Sequence, residues 1–227
     1  MIYKSKNILL ISSFKTSFNL DKNLIRETNK YNFYNYDSYY GKSKIIFEKI
    51  FIKIFKKLHK NFLILSPSHV IGPIDHKGSF NNLFLKKILK KKIIFYPKCH
   101  ISIVDVRNIV DLIYEYILDD KFSCQKIILN DISLNIREYI SIIKKGQLYL
   151  AFMIPTKIIN FLFKIQLYLN HTLKLKITLI SYNRINYLNL NPKTIVNVYP
   201  RKYNYIDTIN DTKKIYFTFP FWLTYKK

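Results

Sequence analysis

The first sustained apolar run, residues 7–11 (NILLI), ends on Ser12 and Ser13, the pattern of a strand buried on both faces of a parallel sheet. Residues 15–37 are polar, rich in Asn and Tyr, and predict a long surface loop. From Ser38 onward Ile45, Ile46, Phe47, Ile50, Phe51, Ile54, Phe55 and Leu58 recur at three- and four-residue spacing, which predicts a long helix. Residues 61–65 (NFLIL) form a second buried strand, stopped at Pro67 and a loop holding Gly72, Pro73 and Gly78. Strand, helix, strand in that order implies a right-handed parallel crossover.

The alternation continues with a helix over residues 79–91, short strands over 93–96 and 101–104, a helix over 106–118 and a strand over 126–129. From Ser133 the pattern is mostly helical, with a break at Gly146, a helix opening after Pro155 and a polar tail. These elements predict an α/β fold with parallel strands and crossover helices. The chain divides into a core over residues 1–132 and a mostly helical lobe over 133–227.

Composition changes the picture at one point, the charge. The 227 residues carry 38 Lys and Arg against 14 Asp and Glu, a formal net charge of +24. Lys, Ile, Asn, Tyr and Phe make up 128 of the 227 residues, and all five have codons written wholly in A and T. We read the basic excess as drift in an AT-rich genome, because net charge bears on non-specific binding rather than on fold. With 49% hydrophobic residues and a mean hydropathy of −0.03, the chain has material for a packed core. Two cysteines, Cys99 and Cys124, make neither a disulfide framework nor a zinc site. The five histidines, including His69 and His76 beside Asp75, are not at metal-ligand spacing.

The N-terminal apolar run is too short for a signal peptide, and the expected location is cytoplasmic. Residues 147–170 have about the length of a membrane span but carry Pro155, Lys157 and Lys164, which argues against spanning. An ordinary buried helix is the expected reading there, with an interfacial amphipathic helix as the alternative. The sequence expects neither nucleic acid nor membrane as a partner.

Candidate chemistry sits at the start of the long helix, in YYGKSK. Tyr40 and Lys44 are four residues apart, so both side chains emerge on one helical face, and an ammonium beside a phenol favours the phenolate needed for proton transfer. The pair by itself is also what a solvated helix start looks like. Ser13 lies at the carboxyl end of the preceding strand, and the next strand ends at Pro67 in SPSHVIGP. Ligands of open α/β sheets bind outside such strand ends.

ISSF, YYGKSK and LSPSHVIGP, in this order, resemble the extended short-chain dehydrogenase/reductase superfamily, its NAD-dependent epimerase/dehydratase and dihydroflavonol-reductase-like branch. ISIVDVRNIVDLI resembles a further strand-to-helix segment of that family, with Asn108 standing at its usual Asp and Ser66 at an earlier usual Arg. The resemblance implies the later part of a Rossmann-type parallel sheet with a substrate lobe. It also implies hydride transfer with NAD or NADP, on a small-molecule substrate bearing a hydroxyl or carbonyl. Tyr40 would be the general acid/base, Lys44 would hold the nicotinamide ribose, and Ser13 would hydrogen-bond the reacting oxygen. Pro67 and Ser68 would meet the nicotinamide, and His69 the substrate. No GxGxxG or GxxGxxG occurs in the sequence, so the resemblance further implies that roughly a hundred residues of nucleotide-binding βα units are missing. A separate N-terminal half or a homodimer is then an expected partner. The reading from a different class is a basic, non-catalytic accessory protein contacting RNA or an anionic membrane, which predicts steeply salt-dependent binding.

Overall fold

The computed structural model describes residues 5–17, 24–25, 39–73, 79–173, 188, 193–194, 199 and 201–218. β1 (Asn7–Ile11) leads through a short 3-10 turn, Phe14–Ser17, and β2 (Leu24–Ile25) to α1 (Tyr39–Lys57). β3 (Asn61–Pro67), β4 (His69–Ile71), α2 (Phe80–Lys90), β5 (Ile93–Pro97), β6 (His100–Asp105) and α3 (Val106–Leu118) come next. Then come β7 (Gln125–Leu129), β8 (Ile132–Asn135), α4 (Ile136–Ile143), β9 (Leu150–Ile154), α5 (Thr156–Thr172), β10 (Lys193–Thr194) and α6 (Tyr205–Thr218).

The central sheet is parallel, in the order β1–β3–β7, with Ile11 opposite Leu65 and Pro67 opposite Leu129. β3 explains the unbroken apolar run NFLIL. Its alternate residues point to opposite faces, and each face carries a helix. Phe62 and Ile64 pack with Phe51 and Phe55 of α1, while Leu63 and Leu65 pack with Ile109 and Leu112 of α3. The result is a helix–sheet–helix sandwich, the layering that parallel strands require.

A second sheet, β4–β6–β8, pairs β4 with β6 in parallel and β6 with β8 in antiparallel register. Beside it α2, α4 and α6 bury Leu85, Tyr139, Ile140, Ile143 and Ile209. Gly72 joins β4 to the next segment where no side chain fits, since a Cβ there would stand 2.6 Å from Val106 Cγ1. Helix starts obey local capping chemistry. Ser79 accepts from Asn82 N–H, Asp105 accepts from Arg107 N–H, and Asn135 with Glu138 forms a reciprocal capping box.

Three expectations change. Part of the predicted surface loop after Ser13 is buried, because Thr16 and Ser17 fold inward in the 3-10 turn and Thr16 bonds Glu48; most of that stretch, like Asp75 and His76, lies outside the described residues. The mostly helical stretch from Ser133 also contains three strands, β8, β9 and β10, each specified by its partner strand rather than by its own alternation. Finally, α5 is not an ordinary buried helix, since it buries only Phe163 and Gln166 among its seventeen residues.

Candidate active site

The carboxyl ends of β1 and β3 lie side by side, and the chain leaves β1 still held to its neighbour: Ser12 N–H donates to Leu65 O at 2.7 Å. Ser13 comes next, 7% exposed. Its carbonyl accepts from Thr16 N–H at 3.0 Å and Thr16 Oγ1 at 2.8 Å, and its Oγ accepts from Lys15 N–H at a long 3.4 Å.

Tyr40 is the second residue of α1 and is half exposed, with Lys44 one turn on. The Tyr40 ring has two ammonium neighbours. Lys15 Nζ lies 5.8 Å from its centroid and Lys44 Nζ 5.9 Å, distances at which a cation is attracted to the ring face. The segment after Ser13 and the start of α1 therefore meet over this ring. Burial draws the Lys15 ammonium below its ordinary range. Among the described residues no hydrogen bond joins Ser13 Oγ, Tyr40 Oη and Lys44 Nζ.

The third segment joins from β3. Ser68 N–H donates to Leu129 O at 2.9 Å, while its buried Oγ has no hydrogen-bond partner among the described residues. His69 turns its ring against Phe14, centroids 5.2 Å apart, and its Nδ1–H donates to Ser102 O at 2.9 Å. Burial pushes the imidazole down to about 4, helped by the nearby Lys15 charge and opposed by the Ser102 bond. ISSF, YYGKSK and SPSHVIGP thus converge on one sheet edge through Ser12–Leu65, Lys15–Tyr40 and Phe14–His69.

Sequence reasoning missed what ties this edge together. Glu48 is fully buried on α1, where it accepts from Ser12 Oγ, from Thr16 Oγ1 at 2.8 Å and from Lys126 Nζ of β7 at 2.8 Å. Lys126 also donates to Thr16 Oγ1 at 2.7 Å. A signal was present, because Glu48 falls within the inward stripe formed by Ile45, Phe51 and Phe55, where a carboxylate needs a partner.

A second polar cluster explains Asn108. Its Nδ2 donates to Asp131 Oδ2 at 3.0 Å and Tyr203 O at 2.8 Å, while Oδ1 accepts from the N–H groups of Lys202 and Tyr203 at 3.2 and 3.1 Å. An amide meets all four demands, whereas a carboxylate could donate none and would face Asp131. Around it Tyr199 Oη donates to Asp131 at 2.5 Å, and Arg107 joins Asp105 to Asp211 of α6. Burial, and then this Asp131 contact, holds the Tyr199 phenol protonated well above its usual range.

A cleft of about 400 Å³ lies elsewhere, between α1 and the beginning of β7, lined by Lys49, Lys53, Phe62 and Gln125 among others. It is at the opposite end of the strands from Ser13.

No family model matches the sequence, and no curated protein matches it either. Solved structures do. A nucleoside-diphosphate-sugar epimerase from Pseudomonas aeruginosa superposes with a TM-score of 0.67 at 12% identity, over 92% of this chain and 66% of that one. The chain has the fold of such epimerases. UDP-glucose 4-epimerase from Thermotoga maritima, solved with UDP-glucose, gives 0.61 at 12% identity over 96% of this chain and 65% of its own. dTDP-glucose 4,6-dehydratase from Bacillus anthracis, in complex with NAD, gives 0.58 at 11% identity over 94% and 62%. The chain spans about two thirds of the length of these proteins.

Proposed function

We propose that Ser13, Tyr40 and Lys44 are the catalytic edge of a nicotinamide-dependent epimerase, dehydratase or reductase of the extended short-chain dehydrogenase type. The observation that carries this reading is the meeting of three separate segments at the carboxyl ends of β1 and β3, with Lys15 and Lys44 both against the Tyr40 ring. The fold likeness to sugar-nucleotide epimerases supports it.

In this reading Ser13 Oγ orients the reacting oxygen, Tyr40 passes its proton, and Lys44 holds the ribose hydroxyls. When bound, the nicotinamide supplies or accepts the hydride. Pro67 and the unpartnered Ser68 Oγ face its carboxamide end, and His69 borders the substrate. Residues 1–132 form the catalytic core and 133–227 the substrate lobe. The residues fit one end of the cofactor only. No glycine-rich turn stands among the 227 residues to cradle the pyrophosphate, so a separate nucleotide-binding half would complete the site. The side of β1 that pairs with no strand among the described residues and the outward apolar side chains Ile46, Phe47, Ile50 and Ile54 of α1 are surfaces for it.

The test uses the half of the cofactor these residues match. Nicotinamide mononucleotide titrated into the full chain at millimolar concentration should shift the NMR signals of Ser13, Tyr40, Lys44 and Ser68, and Lys44→Ala should abolish the effect. Shifts confined to other surfaces, or unaffected by Lys44→Ala, overturn the reading. Saturable micromolar binding of the whole dinucleotide to this chain would instead overturn the need for a separate nucleotide-binding half.

A further inference from the structure

Lys15 stands apart from the buried lysines of this protein. Lys126 is buried against Glu48 and donates to Thr16 Oγ1 at 2.7 Å. Lys144 is buried too, and its Nζ donates to Leu89 O at 2.7 Å and to Gln147 Oε1 at 3.0 Å. Lys15 sits between buried Phe14 and Thr16 and is itself half-buried, yet its ammonium makes no ion pair and no hydrogen bond among the described residues. What it meets is the face of the Tyr40 ring, with 5.8 Å from Nζ to the centroid. Taking a charge out of water without a partner costs free energy, and burial accordingly draws this ammonium below its ordinary range. An AT-rich composition supplies lysines to solvated positions. It does not explain one held here, at the edge where three segments meet.

The surroundings are of one sign. Lys44 Nζ lies against the same ring at 5.9 Å, and the Lys15 charge reaches the His69 imidazole. Glu48, the carboxylate of this edge, is taken up by Ser12, Thr16 and Lys126. His69 adds an acceptor. Because its Nδ1 meets Ser102 O, the neutral ring carries its proton there and leaves Nε2 bare, with no donor among the described residues. The edge thus offers an uncompensated cation and, near it, an unused acceptor.

We propose that Lys15 holds a carboxylate of the substrate, which is a hydroxy acid or the matching keto acid with its acid group within a few bonds of the reacting carbon. This rests on the reading of Tyr40 as the group that passes the proton. Lys15 and Tyr40 meet across one ring, so an anion at Nζ and an oxygen at Tyr40 Oη belong to one small molecule. A single ammonium awaits neutralisation, since Lys44 is committed to the ribose. A carboxylate carries one charge, whereas a phosphate monoester carries nearly two. A hydroxyl of the same molecule donates to His69 Nε2. Lys15 is then the residue that selects an acid over the corresponding neutral alcohol.

The experiment is NMR titration of the full chain, at constant ionic strength, with lactate and with propylene glycol, which has a hydroxymethyl group in place of the carboxylate. Lactate should shift the signals of Lys15, Tyr40 and His69 and bind roughly tenfold more tightly than the glycol. Lys15→Gln should remove that preference while the response of Tyr40 and Ser68 to nicotinamide mononucleotide persists. Lys15→Arg should keep the preference, and Lys53→Gln, on the remote cleft, should leave it unchanged. No preference for lactate beside an intact mononucleotide response overturns this proposal alone; loss of both responses overturns the catalytic reading beneath it as well. Equal loss of lactate and glycol binding in Lys15→Gln overturns it in favour of a lysine that serves only the Tyr40 ring. Lactate shifts spread over exposed lysines, and reduced as much by Lys53→Gln, overturn it in favour of general anion binding by a polycation. A larger Lys15-dependent response to α-glycerophosphate than to lactate overturns it in favour of a phosphate.

Discussion

His69 illustrates how a single residue reports its surroundings. Its imidazole is wedged between Phe14 and the Ser102 carbonyl, and burial holds it neutral down to about pH 4. Between that value and the ordinary 6.5 the unfolded chain binds the extra proton, so this contribution to stability is complete above pH 6.5 and is lost as pH falls. Urea unfolding should therefore weaken by on the order of 3 kcal/mol between pH 7 and pH 4 through this group. His69→Gln should flatten the slope over that window; an unchanged slope would refute the assignment. Asn108 makes a similar point from fixed geometry, because its four hydrogen bonds, two donated and two accepted, are of the kinds an amide alone can supply.

At the scale of elements, the Glu48–Lys126 pair joins α1 to β7 and, through Ser12 and Thr16, to the segment bearing Ser13. Both side chains are almost wholly buried. Glu48→Ala strips a buried ammonium of its carboxylate and should destabilise the chain by about 3–5 kcal/mol, whereas Glu48→Met with Lys126→Met should recover most of that loss. Urea midpoints for the single and double variants check this. The helices and central strands were legible in the sequence because their signals are local. Ile45, Phe51 and Phe55 repeat at helical spacing, and the run 62–65 (FLIL) is apolar on both faces. β4, β8 and β9 were not legible, since HVI, ISLN and LAFMI become strands only by pairing with β6 and β5.

For the whole molecule the governing number is the formal charge of +24. Repulsion among exposed lysines opposes the compact state and is screened by salt, while buried pairs such as Glu48–Lys126 are screened far less. The melting temperature should therefore rise by several degrees as ionic strength goes from about 0.02 to 0.2 M. A fall would mean that surface attraction outweighs repulsion. Convergence at the candidate site is also a property of this scale: Ser13, Tyr40 and Ser68 lie on three segments separated by up to fifty-five residues, and parallel pairing of β1 with β3 brings them to one edge.

The sequence by itself determined the α/β order, the boundaries of α1 and α3, and the three segments worth inspecting, because hydrophobic period and short motifs act over a few residues. Tertiary structure decided the rest. It gave Glu48 its partners, closed four hydrogen bonds on Asn108, and left α5 largely uncovered. Each of these depends on which distant residue arrives at a given surface, and helical period alone states that a face is apolar without stating what it faces.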